Sequence, residues 1–413
     1  MPSFPNAMNK QRLVIVGAGM AGSKLAHDMQ QAHGDRFHIV LIGEEPRLGY
    51  NRIMLSSLLA NDITARDMAL VNTHEMLQHG IDMIVSDPVV NVNLDDKSLQ
   101  LASGKEINYD QLVMATGSRS TILPIGGAEA DNVMGFRTWQ DVDVMTALPD
   151  QQSIVVVGGG LLGLEAAVGL VKRGHKVTVF HRSRWLLNRQ LDEPAAALLQ
   201  SRLKQMGVEF RLGESPDSFI QEKAGRVSQV VCQNGDLMDV DLVVMAAGIT
   251  PEIALAKNAG LQTHRAIIVD SKMATSHENV FAIGECCEFN QQTFGLVAPI
   301  WTQIRVLTQV LAGESDEFAI ESTPTKLKVS GVNLFSVGRI EPIHDDTCIV
   351  FNDVEGDHYR KLVVNDGLLV GAILYGNVAD GSWYFQLIQN KTDVSNSLDL
   401  LVFGEAYCRL QAA

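Results

Sequence analysis

The chain is poor in the features that mark most specialised protein classes. Its five cysteines, Cys232, Cys286, Cys287, Cys348 and Cys408, form no C-x-x-C pair. That argues against a thioredoxin-type disulfide relay and against a cysteine-ligated iron–sulfur or zinc site. Cysteines scattered this way fit a reducing compartment. The 11 histidines show no H-E-x-x-H or related spacing, so no metal is expected. Positive charge is also in short supply. A formal net charge of −15 disfavours a general nucleic-acid or anionic-membrane surface, while leaving room for a small basic pocket. Trp139, Trp185, Trp301 and Trp383 are not interleaved with basic residues, so nucleic-acid readout has no support. Long apolar runs are missing too. The opening MPSFPNAMNKQR has no apolar stretch, and Leu13 to Val16 is too short for a signal or a membrane span. A cytoplasmic protein with no membrane partner is the expectation.

What remains is an ordinary globular composition, 46% hydrophobic and 20% charged over 413 residues, long enough for two or three domains. After a polar tail over residues 1 to 10, RLVIVGAGMAGSKLAHDMQQ reads as a β-branched strand, a glycine turn and a helix. FHIVLIGEE follows as a second buried strand. The pattern returns in SIVVVGGGLLGLEAAVGLVKRG and HKVTVFHR, about 140 residues further on. A repeated βαβ unit implies two domains of one architecture, each with a parallel sheet covered by helices. INYDQLVMATGS and its near-twin VDLVVMAAGITP, with Gly248 in its turn, each read as a strand closing into glycine. From about Pro324 the texture changes to alternating strands, with Asn-Asp-Gly as a hairpin signal and a short helix near Trp383 to Gln389.

Two constellations carry the chemistry. In the first, Gly17, Gly19 and Gly22 form G-x-G-x-x-G on a strand-to-helix turn, with Glu44 at the end of the next strand. The glycines allow the tight turn, close backbone approach to a pyrophosphate, and close packing of helix on strand. The helix N-terminus favours the phosphates, and the carboxylate can accept hydrogen bonds from an adenosine ribose. In the second, Gly158, Gly160 and Gly163 repeat the turn, and His181 and Arg182 follow the next strand. An acid in that place favours NAD, whereas a nearby arginine accommodates the 2′-phosphate of NADP. Arg182 and Arg184 leave the choice between NADH and NADPH open. Two such turns call for one resident and one exchanging dinucleotide, the logic of an FAD reduced by a nicotinamide. Glu165, just past the second set, is the candidate catalytic residue facing the junction of the two rings.

The whole order resembles the two-dinucleotide-domain flavoprotein reductases, the class of glutathione, ferredoxin and rubredoxin reductases. GEEPRLGYNRIMLSSLL, WLLNRQLD, GECCEF, GLVAPIW and KLKVSGVNLFSVG look most like the N-terminal flavoprotein part of the assimilatory nitrite reductase large subunit. The resemblance implies an α/β protein with two Rossmann-like domains of glutathione reductase type and a small C-terminal β-rich α+β domain. The FAD-binding domain is expected over 11–120 and 246–320, the NAD(P)H-binding domain over 121–245, and the C-terminal domain over 321–413. It further implies that Ala115, Thr116 and Gly117 lie against FAD. Gly284 and Glu285 stand where most of the class has glycine-aspartate at the ribityl–pyrophosphate stretch. Pro299 and Trp301 border the isoalloxazine, and Arg52 and Ser56 pass beneath the flavin. Related ferredoxin reductases have a lysine just after that serine; this chain has Ser57.

The disulfide-reducing members of the class carry paired cysteines early in the FAD domain, and MLSSLLA has none. Cys286 and Cys287 are adjacent, which would strain a disulfide, and they read as packing residues. Complete nitrite reductases continue into iron–sulfur and sirohaem modules, for which this chain has no cysteine cluster. The expected activity is therefore hydride transfer from NAD(P)H to FAD, then electron delivery to a nitrite or nitrate reductase component. Rubredoxin or a ferredoxin is the alternative acceptor. A nicotinamide-sensing flavoprotein with an interaction role, and an oxidase that passes electrons to oxygen, are the readings of other kinds.

Overall fold

Residues Leu13 to Val16 have no polar side chain to offer solvent, and they are accordingly buried on both faces within a parallel sheet. The computed structural model describes residues 10–222, 225–321, 323–329 and 331–411; the expected N-terminal tail falls outside them, save Lys10. The described residues form two compact units. The first comprises those up to Leu55, Ile63–Arg119 and Ile249–Glu321. Its central sheet runs Val280–Ala282, Gln111–Met114, Gln11–Val16, Phe37–Ile42, Asp82–Ile84, with every neighbouring pair parallel. The strand that leads into the first glycine turn is thus the middle one. The helix Met20–His33 follows that turn directly.

The second unit comprises Ser56–Asp62, Ser120–Gly248 and the described residues from 323 onward. Its parallel sheet has the order Val208–Leu212, Lys176–His181, Ser153–Val157, Leu242–Met245, Val133–Gly135. Again the strand before the glycine turn is central. The repeat extends to individual bonds. Gly17 N–H donates to Ile42 O and Gly158 N–H to Phe180 O, both at 2.8 Å. Each unit also carries a three-stranded antiparallel sheet that the sequence pattern did not announce: Val89–Asn93, Ser98–Leu101 and Glu106–Asn108 in the first, Ser218–Gln221, Val227–Val231 and Leu237–Asp239 in the second.

The alternating strands near the C-terminus form a five-stranded antiparallel sheet in the order Thr325–Val329, Val332–Gly338, Leu368–Tyr375, His358–Asn365, Thr347–Asp353. The Asn-Asp-Gly signal is a hairpin turn with φ of 47° at Asp366 and 72° at Gly367. Two successive left-handed residues are what a two-residue turn matching the strand twist requires. The helix Gly381–Gln389 packs on this sheet. Among the described residues, no helix is long and apolar enough to cross a membrane.

Within the second unit, the sheet is fastened to the helix Glu193–Gln205. Asp192 caps that helix by accepting from Ala195 N–H (3.3 Å). The same carboxylate accepts from the buried Tyr359 hydroxyl at 2.7 Å and from Lys361 Nζ at 3.0 Å. Burial and the adjoining carboxylate push the Tyr359 phenol far above its usual range, so it remains a donor. Tyr359→Phe should lower stability by about 1–2 kcal/mol, the worth of a hydrogen bond to a charged group whose second partner survives. An unchanged urea-unfolding midpoint would show that this clamp contributes nothing.

Candidate functional site

The glycines of the first turn answer to different constraints. Gly17 has φ of +112°, and a Cβ there would lie 2.1 Å from the Ala115 carbonyl oxygen. A Cβ on Gly22 would lie 1.9 Å from the Gly17 oxygen. Both are demanded by the contact of helix with sheet. Gly19 is not. Its φ of −72° suits any residue, and the nearest atom to an added Cβ is Arg52 Nη2 at 3.7 Å. The second turn repeats the division. Gly158, at φ +129°, and Gly163 admit no Cβ, which would stand 2.3 Å and 2.0 Å from carbonyl oxygens, whereas Gly160 has φ of −81° and nothing within 4 Å. Gly19 and Gly160 cap their helices without a side-chain hydrogen bond, and neither first turn holds an acid. Each helix start therefore presents N–H groups and a positive dipole end to whatever approaches the bare glycine.

The remaining predicted residues of the first unit gather around this turn. Glu44 is exposed, two residues past the strand Phe37–Ile42. Arg52, beside Gly19, is ion-paired with Glu45 and lies 5.4 Å from the Tyr50 ring centroid, and the Tyr50 hydroxyl donates to Glu45 at 2.7 Å. This Glu45–Tyr50–Arg52 group was missed in the sequence, although its spacing in EEPRLGYNR was visible. Ala115 N–H donates to Val16 O (2.7 Å), Thr116 Oγ1 to Glu252 O (2.6 Å), and Gly117 turns at φ +70°. Gly284, at φ +89°, lies against Ala21 and donates its N–H to the buried Gln303 Oε1 (2.8 Å). Glu285 accepts from Ser118 Oγ at 2.8 Å. Pro299 and Trp301 lie in the opening turns of the helix Val297–Leu311, which also carries Gln303. Cys286 and Cys287 are buried free thiols whose pKa burial pushes up, as packing residues should be.

In the second unit, Gly248 turns at φ +117° and accepts from Thr121 N–H (2.9 Å). The His181 ring is tied back to the glycine turn, with Nδ1 accepting the Gly159 N–H at 3.1 Å. Burial lowers its pKa from the ordinary histidine value, so the ring is neutral at pH 7. Arg182 is exposed. Glu165 is not the surface acid that its place on a helix allowed. Its Oε2 accepts from Ser56 Oγ at 2.8 Å, and burial, set only partly against that bond, raises the carboxyl pKa.

Ser56 belongs to a segment laid along the helix Leu161–Lys172. A Cβ on Gly169 would meet Leu59 Cγ at 3.0 Å, Arg173 Nε donates to Leu59 O (2.5 Å), and Lys172 Nζ pairs with Asp62 (2.7 Å). Glu165, Gly169 and Lys172 recur at helical spacing, which makes one face of that helix the seat of Ser56–Asp62.

Two parallel sheets with a phosphate-type turn at the centre of each define a protein with two dinucleotide-binding folds. The chain belongs to the pyridine nucleotide-disulphide oxidoreductase family, whose pattern it matches over residues 11–309. Residues 324–392 match the rubredoxin NAD+ reductase C-terminal domain. It is 36% identical over 390 residues to an assimilatory nitrate reductase electron transfer subunit of Bacillus subtilis, covering 94% of this chain and 50% of that protein. It is 29% identical over 374 residues to a rubredoxin-NAD(+) reductase of Acinetobacter baylyi, covering 89% of this chain and 94% of the other. The solved ferredoxin reductase for the CYP199A2 system of Rhodopseudomonas palustris superposes with a TM-score of 0.84 at 26% identity, covering 98% of this chain and 100% of that one. The chain spans about half the length of the nitrate and nitrite reductase proteins it matches.

Because folding raises the Glu165 pKa, its carboxyl favours the fold fully below its unfolded value of 4.5, and that contribution is lost as pH rises through the folded value. Glu165→Gln keeps an acceptor for Ser56 and removes the titration. The variant should therefore melt higher than the parent at pH 7, with the gap closing towards pH 4. A gap independent of pH would refute the assignment.

Proposed function

We propose that this chain is an FAD-dependent NAD(P)H oxidoreductase that passes electrons from the nicotinamide to a separate redox protein. The observation that carries the reading is the pair Gly19 and Gly160. Neither is required by backbone conformation or by packing, and each stands at an uncapped helix start, where a pyrophosphate needs bare backbone. The residues fit the cofactors. At the first turn, the N–H groups after Gly19 would hold the pyrophosphate of FAD and Glu44 its adenosine ribose. Ala115, Thr116 and Gly117 would flank it, Gly284 and Glu285 would meet the ribityl–pyrophosphate stretch, and Arg52, Pro299 and Trp301 would border the ring side. At the second turn, the N–H groups after Gly160 would hold the nicotinamide dinucleotide, with His181, Arg182 and Gly248 along its course. Ser56 holds Glu165, the candidate catalytic acid, through its hydroxyl. Bound there, FAD supplies a store for two electrons that arrive as hydride.

The acceptor favoured here is a nitrite or nitrate reductase component, since the Bacillus subtilis relative is itself called an electron transfer subunit. Rubredoxin or a ferredoxin comes second, by the C-terminal match. Residues 11–120 and 246–320, 121–245, and 321–413 are proposed as the FAD, NAD(P)H and C-terminal domains, and the cytoplasm as the site of action. Anaerobic mixing of the FAD-loaded protein with NADH or NADPH should bleach the flavin within the time of one turnover. Subsequent mixing with a candidate carrier should restore the colour. Slow bleaching with no transfer to any carrier would favour a nicotinamide-sensing role instead, and rapid recovery in air without a carrier would favour an oxidase.

A further inference from the structure

The two glycine turns can be aligned by their hydrogen bonds. Gly17 donates to Ile42 O and Gly158 to Phe180 O, so Ile42 corresponds to Phe180, Gly43 to His181, and Glu44 to Arg182. On the turn itself, Ala18 corresponds to Gly159. This alignment exposes an exchange of volume. In the first copy the turn carries a methyl group, and a Cβ on Gly43 would lie 2.8 Å from Ala18 Cβ. In the second copy the turn is bare. A Cβ on Gly159 would lie 2.8 Å from His181 Cγ and 2.9 Å from Leu186 Cδ2. The side chain has moved from the turn to the strand end, and the His181 ring fills the space and accepts the Gly159 N–H.

His181 is thereby engaged with the turn and carries no charge at neutral pH. The corner where Glu44 stands in the first copy is left to Arg182. That guanidinium is exposed and makes no hydrogen bond or ion pair among the described residues, and the same is true of Arg184. Glu214 donates its N–H to His181 O (3.1 Å), and its carboxylate is held by Arg211 at 3.5 Å. A ribose diol is served by a carboxylate acceptor, whereas a phosphate monoester repels one and is recognised by the planar fork of arginine. In a chain of net charge −15, Arg182 places a positive charge at this corner.

We propose that the second turn is built for NADPH, with Arg182, backed by Arg184, receiving the 2′-phosphate of the adenosine. This rests on the reading of that turn as the nicotinamide site. The test uses the FAD-loaded protein and two probes that cannot transfer hydride, adenosine 2′,5′-bisphosphate and AMP, titrated by calorimetry. The bisphosphate should bind at least about tenfold more tightly, as expected of a charge-assisted hydrogen bond. Arg182→Glu should abolish that advantage while AMP binding survives. In flavin reduction, the parent should favour NADPH over NADH in kcat/KM, and Arg182→Glu should invert the ratio. Equal binding of the two probes by the parent, or an advantage that persists in Arg182→Glu, would overturn the proposal. If neither nucleotide bleaches the flavin while the bisphosphate advantage is present and lost in the variant, the reductase reading fails and the phosphate corner stands.

Discussion

Everything in this molecule depends on the contact between a glycine backbone and a neighbouring carbonyl at each turn. Gly17 lies so close to Ala115, and Gly158 to Ala246, that a single added carbon would overlap an oxygen. This closeness brings a helix N-terminus to the carboxyl end of a central parallel strand, where ligands of open α/β sheets bind. Once those two glycines and their partners Gly22 and Gly163 have fixed the backbone, Gly160 lies over open space and Gly19 faces nothing nearer than the Arg52 guanidinium. The site is largely a consequence of main-chain geometry. Side chains then differentiate the two copies.

Those differences follow from where volume and charge are placed. The first copy carries Ala18 on its turn, a carboxylate at the strand end, and a neighbouring ion pair between Glu45 and Arg52. The second has a bare turn covered by a neutral imidazole, and arginines where the carboxylate was. Glu165 adds a second contrast. Its carboxyl accepts from the Ser56 hydroxyl, and no ion pair holds it among the described residues. With no cation to offset its burial, this acid favours the protonated state more than a paired one would.

Much of this was legible in the sequence because the signals are local. The β-branched runs RLVIV and SIVVV become the central strands, G-x-G-x-x-G becomes the turn, and Asn-Asp-Gly becomes the left-handed hairpin. The two antiparallel three-stranded sheets were not legible, since strands such as Glu106–Asn108 and Leu237–Asp239 are too short for alternation to register. Nor was the docking of Ser56 on Glu165, whose partners are separated by 109 positions. Sequence reading noted His181 and Arg182 together as replacements for an acid. Only the steric relation of Gly159 to the imidazole separates them, assigning one to the turn and the other to the corner.

The central claim is that the two turns are separate sites with different occupants, and that their middle glycines serve ligands rather than the fold. Gly19→Ala and Gly160→Ala test it most directly, by flavin content after purification and by nucleotide affinity. Compared without bound ligand, both variants should unfold at the midpoint of the ligand-free parent. The account predicts that Gly19→Ala loses FAD but still binds adenine nucleotide, and that Gly160→Ala retains FAD but loses the nucleotide. Retention of both ligands by both variants, or loss of both by either one, would contradict it.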